Sequence, residues 1–67
     1  MTDDSLKGRE VFIEFHSIGQ FVKVTAMDTA SMTEISIQGS AASSEITLKN
    51  AALKRLIYVL KKNGIVE

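Results

Sequence analysis

The chain has 67 residues, and its eight basic and eight acidic side chains give a formal net charge of zero. A chain below roughly 70 to 80 residues rarely obtains more than about 3 to 5 kcal/mol from its core, so disulfides, metals or oligomerisation usually add to that. The lack of Cys excludes disulfides, and a single His leaves a zinc site without its usual ligands. We therefore expect one small domain that holds no metal and no cofactor.

The apolar stretches of the sequence are far shorter than the ~20 residues that a transmembrane helix needs. The first seven residues carry Asp3 and Asp4 where a signal peptide would have basic residues, and no apolar segment follows them. The sequence therefore predicts a cytoplasmic protein without a membrane partner.

Residues 1–7 are expected to form a flexible N-terminal tail, residues 8–64 a single domain, and residues 65–67 a C-terminal tail. From Glu10 to Gln38 apolar and polar residues tend to alternate, which is the pattern of half-buried strands. This alternation predicts three strands, at about Arg9–His16, Gln20–Met27 and Met32–Gln38.

The loops between these strands suggest a pairing register. A loop of residues 17–20 places His16 opposite Phe21 and Glu14 opposite Lys23, and a loop of residues 28–31 places Met27 opposite Met32. A slip by one residue would turn the apolar side chains to the other face of the sheet. The register therefore predicts one apolar face, made of Val11, Ile13, Phe15, Val22, Val24, Ala26, Ile35 and Ile37.

A helical repeat follows from Ser44 to Lys62 and provides a cover for that face. Its apolar positions are Ile46, Leu53, Leu56, Ile57 and Leu60, flanked by Ala52 and Val59. Ser43 or Ser44 can cap the start, and Asn63 with Gly64 is a usual helix end. Residues 45–48 fit either the helix or an extended segment. The predicted fold is α+β: a three-stranded antiparallel meander with one C-terminal helix packed on one face, in two layers.

Several short motifs are similar to a known family. They are Gly8-Arg9-Glu10-Val11, Glu14-Phe15, Gly19, Val22-Lys23-Val24, Ala26, Asp28, Gly39, Ala52-Leu53 and Tyr58-Val59-Leu60. With them the chain resembles, over roughly residues 8 to 61, a family of small uncharacterised bacterial proteins with a β-β-β-α layout. Most of these positions are core or turn residues. The resemblance therefore implies a fold and no known activity.

The residues that might support catalysis do not form a recognisable motif. His16 lacks a nucleophile motif such as Gly-x-Ser-x-Gly. Glu10, Glu14 and Glu34 share an open sheet face, where no pocket separates their pKa values. A calcium loop from Asp28 fails because Ala30 and Met32 occupy ligand positions. We therefore predict no catalytic, cofactor-binding or metal site, and no enzyme.

The outer face of the predicted sheet carries four large apolar side chains among polar ones: Phe12, Phe21, Met27 and Met32. Exposed apolar clusters with polar rims mark interfaces, so this set predicts a contact patch for a second copy or another protein. The alternative is that the N-terminal tail, or Ile65 and Val66, folds across the patch.

The outer face of the predicted helix is basic and consists of Lys54, Arg55, Tyr58, Lys61 and Lys62. From Ser44 to Lys62 there are five basic residues and one acidic residue. Three interpretations stay open: a solvated face, a phosphate-binding face for nucleic acid, and a face for an acidic protein. Our leading hypothesis is a non-enzymatic, self-associating or partner-binding module that uses the sheet face, and weak nucleic-acid binding by the helix is the alternative.

Overall fold

The computed structural model describes residues 4–67, which form a three-stranded antiparallel sheet and one long helix. A short 3-10 turn at Asp4–Leu6 comes first. The strands are β1 (Val11–Ile18), β2 (Phe21–Asp28) and β3 (Thr33–Ser40), in the spatial order β1-β2-β3, and the helix is α1 (Glu45–Lys62). The α+β prediction, with its meander and C-terminal helix, is confirmed.

The register of the first hairpin differs from the predicted one by two residues. Ile18, not His16, lies opposite Phe21, so the loop shrinks to Gly19 and Gln20. Gly19 has a φ of 60°, and a positive φ at the first loop position is typical of the tight turns that join twisted strands. A two-residue shift keeps each side chain on its predicted face because the strand period is two. The predicted pairing of Glu14 with Lys23 is wrong.

The second hairpin is also shifted by two residues. Asp28 lies opposite Thr33, and the loop is formed by residues 29–32 rather than 28–31. The Asp28 carboxylate accepts hydrogen bonds from the Ser31 amide at 3.1 Å and from the Ser31 hydroxyl at 2.5 Å. Met32 then takes a left-handed conformation with a φ of 58°. The side chain of Asp28 therefore organises the loop. Because Asp28 is the last residue of β2, the pairing of β2 with β3 extends one residue beyond the predicted strand end at Met27.

Helix α1 has well-defined ends. The Ser44 hydroxyl accepts a hydrogen bond from the Thr47 amide, so Ser44 is the N-cap and residues 45–48 are helical. At the other end, the Gly64 amide donates to the Lys61 carbonyl and the Ile65 amide donates to the Leu60 carbonyl. These two bonds, with Gly64 at a φ of 73°, form a Schellman motif. The predicted helix end at residues 63 and 64 is confirmed.

The core lies between α1 and the sheet. Its buried members are Val22, Val24, Ala26, Ile35, Leu48, Ala52, Leu56 and Leu60. Helix and sheet approach each other closely at Gly39, where an added Cβ would overlap the Leu48 side chain. Leu48 thus takes the place that was predicted for Ile46. Ile46 is 71% exposed because it stands two residues, or about 200°, around the helix from Leu48.

The helix packs on β3 and β2, so the cover over β1 is thinner. Val11 and Ile13 are half-buried against the core, but Phe15 remains 38% exposed on the same face. Segments predicted as tails contribute to this core: Leu6 from the N-terminal side, and Ile65 and Val66 after the helix, all pack against it.

Candidate functional site

The outer face of the sheet, on the side away from α1, carries its side chains in four rows across the strands. We name each row by one member. The Phe12 row is Phe12, Met27 and Glu34; the Glu14 row is Glu14, Thr25 and Ser36; the Lys23 row is His16, Lys23 and Gln38; the Phe21 row is Ile18, Phe21 and Ser40.

The apolar side chains of this face lie at its two ends. Phe12 is 57% exposed beside the half-buried Met27, and Phe21 is 53% exposed beside Ile18, which is 49% exposed. Phe21 and Met27 are six residue steps apart along β2, which corresponds to about 20 Å. Met32 is 70% exposed in the β2–β3 loop, which adjoins the sheet end that carries the Phe12 row. The residues predicted as one patch are therefore divided between the two ends: Phe12 and Met27 lie in one apolar row, and Phe21 lies in the other beside Ile18.

Between the apolar ends the face is polar, and its charge changes sign along the strands. Glu34 and Glu14 lie in the first two rows, whereas His16 and Lys23 lie together in the third. Thr25 and Ser36 share a hydrogen bond of 3.1 Å in the middle of the face. The face therefore has an acidic half and a basic half, each with an apolar row at its outer edge.

None of the segments proposed as a cover for this face is seen to cover it within residues 4–67. Leu6, Ile65 and Val66 pack against the core on the other side of the sheet, and residues 1–3 lie outside the described part of the chain. The face also contains an open depression of about 300 Å³, lined by Ile18, Lys23, Ser36, Ile37 and Gln38. This depression is open, unlike the enclosed cavities that bury most of a small ligand.

The predicted basic face is present on α1. Lys54, Arg55, Tyr58, Lys61 and Lys62 are all exposed. The Arg55 guanidinium lies 5.2 Å from the centre of the Tyr58 ring, which is within cation–π range. Glu45 lies in the first turn and Lys61 and Lys62 lie in the last, as the helix dipole favours. The helix dipole therefore gives a structural explanation for the charges at the two ends of α1.

A largely buried ion pair joins Arg9, two residues before β1, to Asp28 at the end of β2. Asp28 is fully buried, and its Oδ1 lies 3.2 Å from Nε of Arg9, whose side chain is 21% exposed. The two atoms are close but are not aligned as a hydrogen bond, so this contact is ionic. The sequence reading missed the pair because it placed Asp28 in a loop. The sequence signal for the pair is that Asp28 follows Ala26 by two positions. In a strand, Asp28 then points to the same buried face as Ala26.

No metal centre and no membrane-spanning helix is found within residues 4–67. No group of three or more His, Cys, Asp or Glu side chains there is placed to hold a metal ion. No helix in that part of the chain is both long enough and apolar enough to cross a bilayer.

Comparison with known proteins identifies the family. The model of a domain of unknown function, DUF6898, matches residues 8–63. The chain belongs to this family. The match confirms the resemblance to an uncharacterised family of β-β-β-α layout, and the matched residues contain the whole sheet and helix of this DUF6898 domain. No curated protein and no solved structure matches the chain.

Proposed function

We propose that this DUF6898 domain is a non-enzymatic protein-interaction module that binds through the outer face of its sheet. The observation that carries the proposal is the half-exposure of Phe12, Ile18 and Phe21 on a face that no described segment covers. Exposed apolar side chains that are bordered by polar ones favour association with another protein surface, because their burial removes apolar area from water.

The ionisable groups support a role in binding rather than catalysis. Glu14, His16 and Lys23 are exposed on an open sheet, where water surrounds both acids and bases. The buried carboxylate of Asp28 is engaged by Arg9 and Ser31 and so holds the hairpin ends together. Glu14, His16 and Lys23 therefore lack the enclosed site that acid–base catalysis uses.

Site-specific photo-crosslinking in cells tests this proposal. A photoreactive phenylalanine analogue is introduced at Phe12 or Phe21, and the matched control carries it at Tyr58 on the exposed side of α1. We expect crosslinks to a polypeptide, identified by mass spectrometry, from positions 12 and 21 and not from position 58. Crosslinks from position 58 alone, or none from the sheet positions, would contradict the proposal.

A second candidate function is weak nucleic-acid binding by the basic face of α1. It is favoured by the exposure of Lys54, Arg55, Lys61 and Lys62 on the helix, with the Arg55–Tyr58 pair between them. Such a face would contact phosphates without reading sequence, and its affinity would fall steeply with salt.

The test is a titration of the isotope-labelled protein with random-sequence RNA and DNA, followed by amide NMR at low and high salt. Binding by this face shifts amides from Lys54 to Lys62 at low salt, and the shifts reverse at high salt. The Lys54→Glu/Arg55→Glu variant should lose the response, while the sheet variant Lys23→Glu should keep it. An unchanged spectrum at low salt would remove this candidate.

A further inference from the structure

We infer that the occupant of the outer sheet face is a second copy of this chain, placed by a two-fold axis that runs across the strands between the two sheets. This inference rests on the proposed function and gives its partner. A two-fold interface requires a surface that is complementary to itself. The four rows meet this requirement when the axis passes between the Glu14 row and the Lys23 row.

The apolar ends match each other in this arrangement. The axis reverses the direction of the strands, so the Phe12 row of one copy lies over the Phe21 row of the other. Along β1, Phe12 meets the partner's Ile18; along β2, Met27 meets the partner's Phe21. The symmetry repeats each contact. Each copy therefore covers four apolar side chains of the other: Phe12, Ile18, Phe21 and Met27.

The charges match in the same arrangement. The Glu14 row lies over the partner's Lys23 row, so Glu14 faces the partner's His16, with the partner's Lys23 on the adjacent strand. On β3, Glu34 faces the partner's Ser40 and no acid. Each acidic group therefore lies opposite a basic or neutral one, which favours this register over those that oppose like charges.

A two-fold axis along the strands gives a poorer match. It would place each row over the same row of the partner in reversed strand order, so that Phe12 would lie over the partner's Glu34. An apolar ring would then cover a carboxylate. The axis across the strands avoids this contact. Either axis keeps the strands of the two sheets aligned, as is usual between packed sheets, so the side-chain match decides between them.

The size of the face indicates how strong the contact should be. Three strands spaced by about 4.8 Å and eight residues long span about 14 by 26 Å, or roughly 400 Å² of flat area per copy. Side-chain relief increases the buried area, yet the total stays near the lower end of the range for stable interfaces, about 1,200 Å². We therefore expect a weak dimer that forms in the micromolar range.

A charge-reversal pair tests the geometry. In Glu14→Lys alone, each new lysine faces the partner's His16 and lies diagonal to the partner's Lys23 on the adjacent strand. In Lys23→Glu alone, each new glutamate lies diagonal to the partner's Glu14. Each variant should lose about tenfold or more in dimer affinity, measured by sedimentation equilibrium. An equimolar mixture places opposite charges at both contacts, so a one-to-one heterodimer should form with an affinity close to that of the wild-type dimer.

Matched controls carry the same charge changes elsewhere: Lys54→Glu on α1 and Glu67→Lys at the C-terminus, both exposed. These should dimerise like the wild type, and circular dichroism confirms that every variant is folded.

If the wild type is monomeric at millimolar concentration, the inference that a second copy occupies the sheet face is wrong. Crosslinks from the sheet face to a different polypeptide would then still support the proposed function. A wild-type dimer that both reversals leave intact, or a mixture that stays monomeric, would overturn the two-fold arrangement.

Discussion

Replacing Asp28 by Ala is expected to destabilise this domain by about 3 kcal/mol or more. The fully buried carboxylate contacts the Arg9 guanidinium at 3.2 Å and accepts two hydrogen bonds from Ser31. Removing one member of a buried ion pair usually costs about 3 to 5 kcal/mol. The 21% exposure of Arg9 lets water reach its charge and places the estimate at the lower end. Because a domain of this size has only about 3 to 5 kcal/mol in total, much of the variant should be unfolded at 37 °C.

Two further variants separate the contributions. Asp28→Asn keeps an oxygen that can accept from Ser31 but loses the ionic contact, so it should cost less, about 1 to 2 kcal/mol. Arg9→Met leaves the carboxylate buried with Ser31 as its donor and should fall between the other two. Asn50→Ala, an exposed position on α1, is the control and should change stability by less than about 0.5 kcal/mol.

The free energy of unfolding is measured by urea denaturation, followed by far-ultraviolet circular dichroism at low protein concentration. If Asp28→Ala lies within about 1 kcal/mol of the wild type, the carboxylate does not organise the hairpin ends as described. If Asp28→Asn costs as much as Asp28→Ala, the ionic contact with Arg9 dominates and the Ser31 bonds contribute little.

Other substitutions address the helix and its contact with the sheet. Gly39→Ala should destabilise the domain by about 1 to 3 kcal/mol because the added methyl group overlaps Leu48, and a Leu48→Ala second substitution should reduce that added cost in a double-mutant cycle. Ser44→Ala should cost about 1 kcal/mol through the lost cap to the Thr47 amide. Gly64→Ala should cost about 1 kcal/mol because the residue is left-handed, and a thermal melt that is unchanged would argue against the Schellman motif.

The alternation of apolar residues predicted the strands and the face to which each side chain belongs, because the strand period is two. The register was harder to predict. Registers that differ by two residues keep the same faces, so only turn geometry distinguishes them. The left-handed Gly19 selects the shorter first loop, and the Asp28 carboxylate selects the second. The apparent Glu14–Lys23 charge pair pointed to the wrong register.

The candidate surface could be predicted only in part, because alternation gives the face of each side chain but not the register. Phe12, Phe21 and Met27 lie on the outer face as expected, but the register decides which of them are neighbours. The prediction placed Ile18 in the first loop and so left it out of the surface, although it belongs to the Phe21 row. For the helix, Ile46 fits an apolar pattern from sequence, yet Leu48 is buried because the buried positions recur every four residues through Ala52. Such differences depend on the position of the helix over the sheet, which local pattern does not determine.

The placement of α1 over β2 and β3 affects how the domain opens. Strand β1 is held mainly by its backbone ladder with β2 and by the Arg9–Asp28 pair, whereas β2 lies under the helix. In native-state hydrogen exchange, the amides of β1 should therefore lose protection before those of the β2–β3–α1 unit. Each such opening exposes the edge of β2 from which β1 has separated. The β1 strand of another copy can then pair with this edge in place of the β1 strand of the same chain.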